Sequence, residues 1–248
     1  MIVPDNPHLA VFRASLKEEL PIWVGEHPAQ WAAHVLPPAL LAQAQQLPET
    51  RLSRDALFKR AQDSNVDDLN IATCILAWGG MQPSNGKRVL RRWGEWKHVV
   101  GKLRLGDLDR IKAYSEFQSI RKAGNLPGMG PAYFTKLIYF CSPRHDGFIM
   151  DQWTARSANL LLGRRLVKTE RVAPRKGAWD RNPQRVSDQN DEDVYHCFCT
   201  FISKLAEEVG RPGEEDEIER RLFSAGRRQG CWRSYVISGN LGGACAQA

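Results

Sequence analysis

Along the chain, apolar and polar residues group into helix-length runs separated by proline- and glycine-rich breaks, and no convincing set of strands stands out. The expected fold class is therefore mainly α. Prolines at 4, 7, 21, 28, 37, 38 and 48 keep the early helices short: Val11 to Leu20, Pro28 to Val35 and Pro38 to Gln46. Arg51 to Gln62 reads as an amphipathic helix. Asn65-Val66-Asp67-Asp68 is a turn and cap leading into Leu69 to Trp78, apolar enough to be buried. Gly79 to Gly86 is a polar, glycine-rich loop, and Lys87 to Trp93 begins the next helix. Gly101 to Arg110 reads as a turn-rich connector. Tyr114 to Gly124 and Ala132 to Cys141 are helices, the second opened by Pro131, where the first helical N–H has no partner to lose. Gln152 to Leu162, Val194 to Val209 and Glu214 to Phe223 are helical. Arg164 to Asp193 reads as a long, mobile insertion without periodicity. In the tail, Gly226 to Ala248, the run Trp232 to Ile237 packs or forms a short strand.

Composition narrows the partners. Lys and Arg number 35 against 28 Asp and Glu, for a net charge of +7 and a pI near 9.2, which favours a polyanionic partner. Six cysteines (74, 141, 197, 199, 231 and 245) show no metal-ligand spacing and are expected as reduced thiols of a cytoplasmic protein. No stretch approaches the eighteen apolar residues of a membrane span, so a soluble protein without a membrane partner is expected.

The chemistry concentrates at Leu126-Pro127-Gly128-Met129-Gly130, the turn between two helices. Leu-Pro-Gly-x-Gly is the helix-hairpin-helix signature. Its glycines permit positive φ and close backbone approach. The amides opening the second helix point at an anion, and a DNA phosphate contacted there fixes position without reading sequence. Asp151 follows twenty-one residues after Gly130, behind Gly147-Phe148-Ile149-Met150 and ahead of the helix from Gln152. Alone, Asp151 reads as an N-cap.

Hairpin, spacing and aspartate together resemble the helix-hairpin-helix base-excision DNA glycosylases, and within them the 8-oxoguanine glycosylase branch and its bacterial relatives. The resemblance is carried by Ser119 to Leu162 and extends to Asp68 to Trp96. It implies a single glycosylase domain of two interleaved lobes over residues 1–248, acting as a monomer on double-stranded DNA with a modified base; the first fifty residues would pack over the catalytic lobe. The four-cysteine iron–sulfur motif of one branch is missing. The resemblance also assigns roles. Asp151 would set its charge against the sugar cation formed during base excision. Bifunctional members carry a Schiff-base lysine two residues past the last hairpin glycine, and Ala132 stands there instead. Lys136, one helical turn on, shares a face with Ala132 and Tyr139, opposite the stripe Phe134, Leu137, Ile138 and Cys141. Lys136 is the nucleophile of a lyase-coupled reaction or merely binds phosphate or water, the nucleophile then being water. Leu126, Gly128, Met129 and Gly130 would bind DNA. Gln82, Ser84 and Asn85 would fill the gap left by the extruded base and Arg88 would reach the orphaned base, with Lys87 beside them; a solvated loop and basic helix face is the alternative. No cofactor is implied, except that a monovalent cation in the hairpin turn is compatible with the motif. The excised base would be 8-oxoguanine or, in a defence enzyme, a bulky modified cytosine of foreign (phage) DNA. A non-catalytic DNA-binding module, in which Asp151 only caps, is the reading of another class.

Overall fold

In the computed structural model the described residues are 6–20, 22–44, 46–173, 180, 182–224 and 231–242. Among them are thirteen helices and one two-stranded sheet, a mainly α fold. The chain divides into two compact units. Met1–Ile22, which carries α1 (Pro7–Ser15), joins Met150–Ala248; Trp23–Ile149 forms the other. The first fifty residues are therefore shared between the units rather than forming one layer over a lobe.

The unit of residues 23–149 holds α2 (Pro28–Val35), α3 (Pro38–Gln43), α4 (Arg54–Ala61), α5 (Asp68–Trp78), α6 (Pro83–Leu90), α7 (Trp93–Leu105), α8 (Arg110–Lys122) and α9 (Pro131–Cys141). Helix α5 is its axis. Every residue from Leu69 to Trp78 is buried, so α5 is surrounded, as an all-round apolar helix must be. It packs against α2, α4, α7 and α9. The Asp67 side chain accepts from the Asn70 amide and starts it. Rings fill the space around it: Trp78 meets Phe140 edge-on at 5.0 Å, and Phe134 lies between Tyr114 and Phe117.

Several boundaries depart from the sequence expectation. Helix α1 starts four residues before Val11, because Pro7 occupies its first position and the Asn6 side chain accepts from the His8 amide. Helix α3 ends at Gln43, and α4 waits for Arg54 because Ser53 is its cap. Helix α6 begins at Pro83 inside the expected loop. The expected connector from Gly101 is largely helix. Trp96, Val99, Val100 and Leu103 are buried along one face of α7, and that packing carries the helix through Gly101 despite glycine's low propensity. A β-carbon at Gly101 would also come within 3.0 Å of Asp68 Oδ2. Gly106, at φ 77°, then ends α7, and Asp109 caps α8 through the amides of Ile111 and Lys112.

The other unit is built around α10 (Gln152–Leu162), which packs against α1, against α12 (Glu215–Phe223) and against α13 (Cys231–Gly242). Ser157 stitches three of these together: its hydroxyl donates to the Leu222 carbonyl and accepts from Trp232 Nε1, both at 3.0 Å. The insertion after α10 is not without structure. Strand β1 (Thr169–Arg171) pairs antiparallel with β2 (Gln184–Val186), Glu170 opposite Arg185, and that cross-strand pair is ionic at 2.7 Å. Asn159 anchors the segment by accepting from the amides of Leu166 and Val167. Helix α11 (Glu192–Glu208) follows, capped by Asp191. The tail is helical over α13 rather than a strand, with Trp232 buried against Phe12 of α1. The remainder of the insertion (174–179 and 181) and of the tail (226–230 and 243–248) lies outside the described residues.

Candidate active site and nucleic-acid interface

The hairpin stands as the sequence implies, with α8 entering and α9 leaving. Gly124 and Gly128 hold φ 80° and 86°, values open to glycine and strained for other residues. Gly130 does not: at φ −99° and ψ −172° it is extended backbone, so the expected left-handed strain there is absent. Leu126 and Met129 are 1% and 0% exposed. Their side chains anchor the turn in the core and are not available to DNA, and the Met129 amide is bonded to the Leu126 carbonyl within the turn at 3.2 Å. On the inner side of the turn, Nη1 of Arg121 donates to the carbonyls of Leu126 and Met129 at 2.8 and 3.0 Å. Sequence reading passes over Arg121; its only signal is a cation in the last turn of the helix before the glycines.

Helix α6 lies beside this turn. A β-carbon on Gly128 would come within 2.9 Å of Asn85 Oδ1, so glycine is what lets Asn85 seat against the hairpin. The same oxygen accepts from Arg88 Nη2 at 2.5 Å. Ser84, Asn85, Lys87 and Arg88 are thus on a helix, with Gln82 at its cap position, and not on an open loop. Gln82, Ser84, Lys87, Arg88, Arg91 and Arg92 are exposed. The buried side of α6 is fixed by Gly86, where a β-carbon would meet the Trp31 ring at 2.7 Å, and by Trp31 Nε1 donating to the Met81 carbonyl. One helix therefore presents a solvated cationic face and touches the hairpin through Asn85.

Helix α9 differs from the expected two-faced helix. All residues from Phe134 to Cys141 are buried, Lys136 included at 7% exposure. Tyr139 is held by Arg54, whose Nε donates to its hydroxyl at 3.0 Å and whose guanidinium lies 4.2 Å from its ring centre. Lys136 turns back along the helix. Its Nζ donates to the Ala132 carbonyl at 2.7 Å, one turn towards the hairpin, and lies 5.4 Å from the centre of the Tyr133 ring. Gly79 makes room for the stem: a β-carbon there would be 2.9 Å from Lys136 Cδ. The amine thus sits at the level of residue 132 although its α-carbon is four residues on.

In the other unit Asp151 is 7% exposed and caps α10 with a full capping box. Its Oδ1 accepts from the amides of Trp153 and Thr154 at 2.8 and 3.1 Å, and Thr154 Oγ1 accepts from the Asp151 amide at 2.9 Å. Two arginines close around Trp153. The guanidinium carbons of Arg233 and Arg156 lie 4.4 and 4.8 Å from its ring centre. Arg156 is 2% exposed and pairs with Asp180 at 2.7 Å. Arg233 donates to the Phe223 carbonyl. Burial pulls its pKa down to about 10; the Asp151 carboxylate opposes that shift and Arg156 adds to it. Arg156 Nε and Nη2 and Arg233 Nε are buried without a hydrogen-bond partner among the described residues. Sequence reading missed this cluster. Its one visible sign is Arg156, three residues after Trp153 on the apolar side of α10.

Comparison with known proteins adds a family. A family model described as "Putative 8-oxoguanine DNA glycosylase OGG-like protein" matches residues 20–223. No curated protein and no solved structure matches the chain. The match spans the hairpin, the helix capped by Asp151 and most of both units, and the chain belongs to this OGG-like DNA glycosylase family.

Proposed function

We propose that the protein extrudes a modified base from duplex DNA and cleaves its N-glycosidic bond, with 8-oxoguanine as the first substrate. The observation that carries this reading is Asp151: a nearly buried carboxylate held rigid by two helix amides and a capping box, in a chain of the OGG-like family. A fixed anion stabilises charge growing on the sugar without reorganising during the reaction. Extrusion exposes C1′ and places the base where a pocket can read it. The hairpin amides and the cations of α6 supply backbone contacts, which hold any duplex alike.

Two nucleophiles are open to the reaction, the Lys136 amine and an activated water. The amine is reach-compatible with the position at which bifunctional relatives carry their lysine, since it bonds the Ala132 carbonyl. That supports an imine-forming lyase step; the absence of a lysine at 132 itself favours an activated water and a monofunctional enzyme.

The test is abasic-site formation by the purified protein on duplexes carrying single modified bases. The panel includes 8-oxoguanine opposite each normal base and cytosines with bulky 5-substituents. Excision of 8-oxoguanine supports the full reading, and excision of the cytosines alone replaces the substrate. Tight duplex binding without excision of any base makes the protein a binding module. Binding should weaken steeply with salt, through counterion release at Lys87, Arg88, Arg91 and Arg92.

A further inference from the structure

The hairpin turn concentrates carbonyl oxygens as well as amides. Between Gly124 and Pro131 the backbone reverses through two positive-φ glycines, and the Met129 amide is already used inside the turn, on the Leu126 carbonyl at 3.2 Å. The carbonyls of Leu126 and Met129 both point at one place. Two converging carbonyl dipoles repel, and a hydrogen-bond donor or a positive charge between them relieves that repulsion. A monovalent metal ion held by turn carbonyls is one solution. The side chains of Leu126 and Met129 are apolar and buried, so carbonyl oxygens are what the turn itself offers such an ion.

That place is taken. Nη1 of Arg121 lies 2.8 Å from one oxygen and 3.0 Å from the other, donating to both. Arg121 sits in the last turn of α8, so the charge is tethered to the helix that enters the hairpin. A guanidinium is always ionised and directs its N–H groups in a rigid plane, which suits bridging two fixed acceptors. A metal ion bonded to the same oxygens would need the same space as this nitrogen and would meet its charge. The residues present do not fit a cation here.

We propose that Arg121 is the built-in cation of the hairpin: it closes the turn in place of a monovalent metal ion, so the hairpin works independently of which monovalent ion is in solution. The effect on DNA binding rests on the reading of the hairpin as a phosphate clamp. The effect on the stability of the turn does not. Arg121 acts through the turn and is a positioning residue for the backbone amides that follow it.

The experiment compares chloride salts of potassium, sodium, lithium and tetramethylammonium at one ionic strength, with the full chain. Two readouts are taken, melting temperature and affinity for an undamaged duplex. For the wild type both should be the same in all four salts, with Kd constant within about twofold. Arg121→Ala should bind about tenfold more weakly in tetramethylammonium, the loss of one charge-assisted hydrogen-bond bridge. It should recover part of that affinity, and part of its melting temperature, in potassium. Arg121→Lys, which returns a single tethered charge, should restore ion independence, and it carries the test if the alanine variant does not fold. Wild-type affinity or melting temperature that drops when tetramethylammonium replaces potassium overturns the proposal. So does an Arg121→Ala variant indistinguishable from wild type in every salt. If no form binds duplex DNA, the clamp reading fails, while the melting temperatures across the four salts still decide the role of Arg121.

Discussion

Replacing Asp151 by asparagine separates its capping role from its charge. Asparagine keeps an oxygen where Oδ1 accepts from Trp153 and Thr154, and it caps helices about as well as aspartate. The cap should therefore survive. What disappears is one negative charge at the N-terminus of α10, worth ~0.3–1 kcal/mol against the helix dipole. The buried arginines lose a counter-charge as well: Arg233 is favoured by Asp151 and disfavoured by Arg156, and Asp180 remains bonded to Arg156. Together these put the expected loss of stability at about 1–2 kcal/mol, below that for breaking a directly bonded buried pair. In a chain of 248 residues each kcal/mol lowers Tm by roughly 2–4 °C, so the variant stays folded at assay temperature. The catalytic loss should be larger. A carboxylate about 4 Å from the developing sugar cation, at an effective dielectric near 20, contributes about 4 kcal/mol, which is about 10³-fold in rate. Single-turnover excision from an 8-oxoguanine duplex, read as strand breaks after alkali, measures the rate, and a melting curve measures the fold. Excision by Asp151→Asn within about threefold of wild type would refute the catalytic assignment. Asp151→Ala removes the cap too and should melt lower still, by the further ~1 kcal/mol that caps contribute; equal melting of the two variants would refute the capping half.

Borohydride should trap a protein–DNA adduct through Lys136 if the reaction is lyase-coupled, the adduct vanishing in Lys136→Gln and persisting in Lys122→Gln. Abasic sites without an adduct assign the attack to water. Gly128→Ala combines positive-φ strain with a clash on Asn85 and should cost about 1–2 kcal/mol of stability, with weaker binding to every duplex. Gly130→Ala, at φ −99°, should destabilise the fold far less, and urea midpoints of the two variants check the order. Burial pushes the thiols of Cys74 and Cys141 up to about 12. Unfolding lets both ionise near their ordinary value of 9, so above that pH the unfolded chain binds fewer protons than the folded one. The contribution of these two thiols should be constant below pH 9 and fall by up to ~1.4 kcal/mol per pH unit per thiol above it, read from urea midpoints between pH 8 and 11 against Cys74→Ala and Cys141→Ala variants. A contribution that rises over that range contradicts the burial of the two thiols. At pH 8 a disulfide reagent should modify exposed Cys197 well before either.

The sequence by itself determined the features that rest on local sterics and capping. Pro131 and Pro28 open helices where their missing N–H does no harm, and both helices begin there. Asp151 caps the helix Gln152–Leu162 with the bounds its neighbours predict, because an aspartate followed by an amide-bearing first turn is a complete local signal. The hairpin is legible for the same reason: glycine tolerates the φ of 86° that residue 128 must adopt. Tertiary structure decided what depends on residues far apart in sequence. The packing of Trp96, Val100 and Leu103 draws α7 through Gly101, and the Trp31 ring, fifty-five positions away, leaves room only for glycine at 86 on the buried side of α6. Burial of α9 on all sides turns Lys136 inward along Gly79, a contact across 57 positions that no periodicity within α9 announces. The two arginines on Trp153 come from α10 and α13, about eighty residues apart, and become a cluster only when the helices pack. Arg121 lies between these cases. It stands only five and eight residues from the carbonyls it bridges, but composition does not say that a guanidinium folds back into its own turn. Local rules fix where a helix starts and which residue tolerates a given φ; where a charged side chain ends up follows from the space and the partners that the folded chain leaves for it.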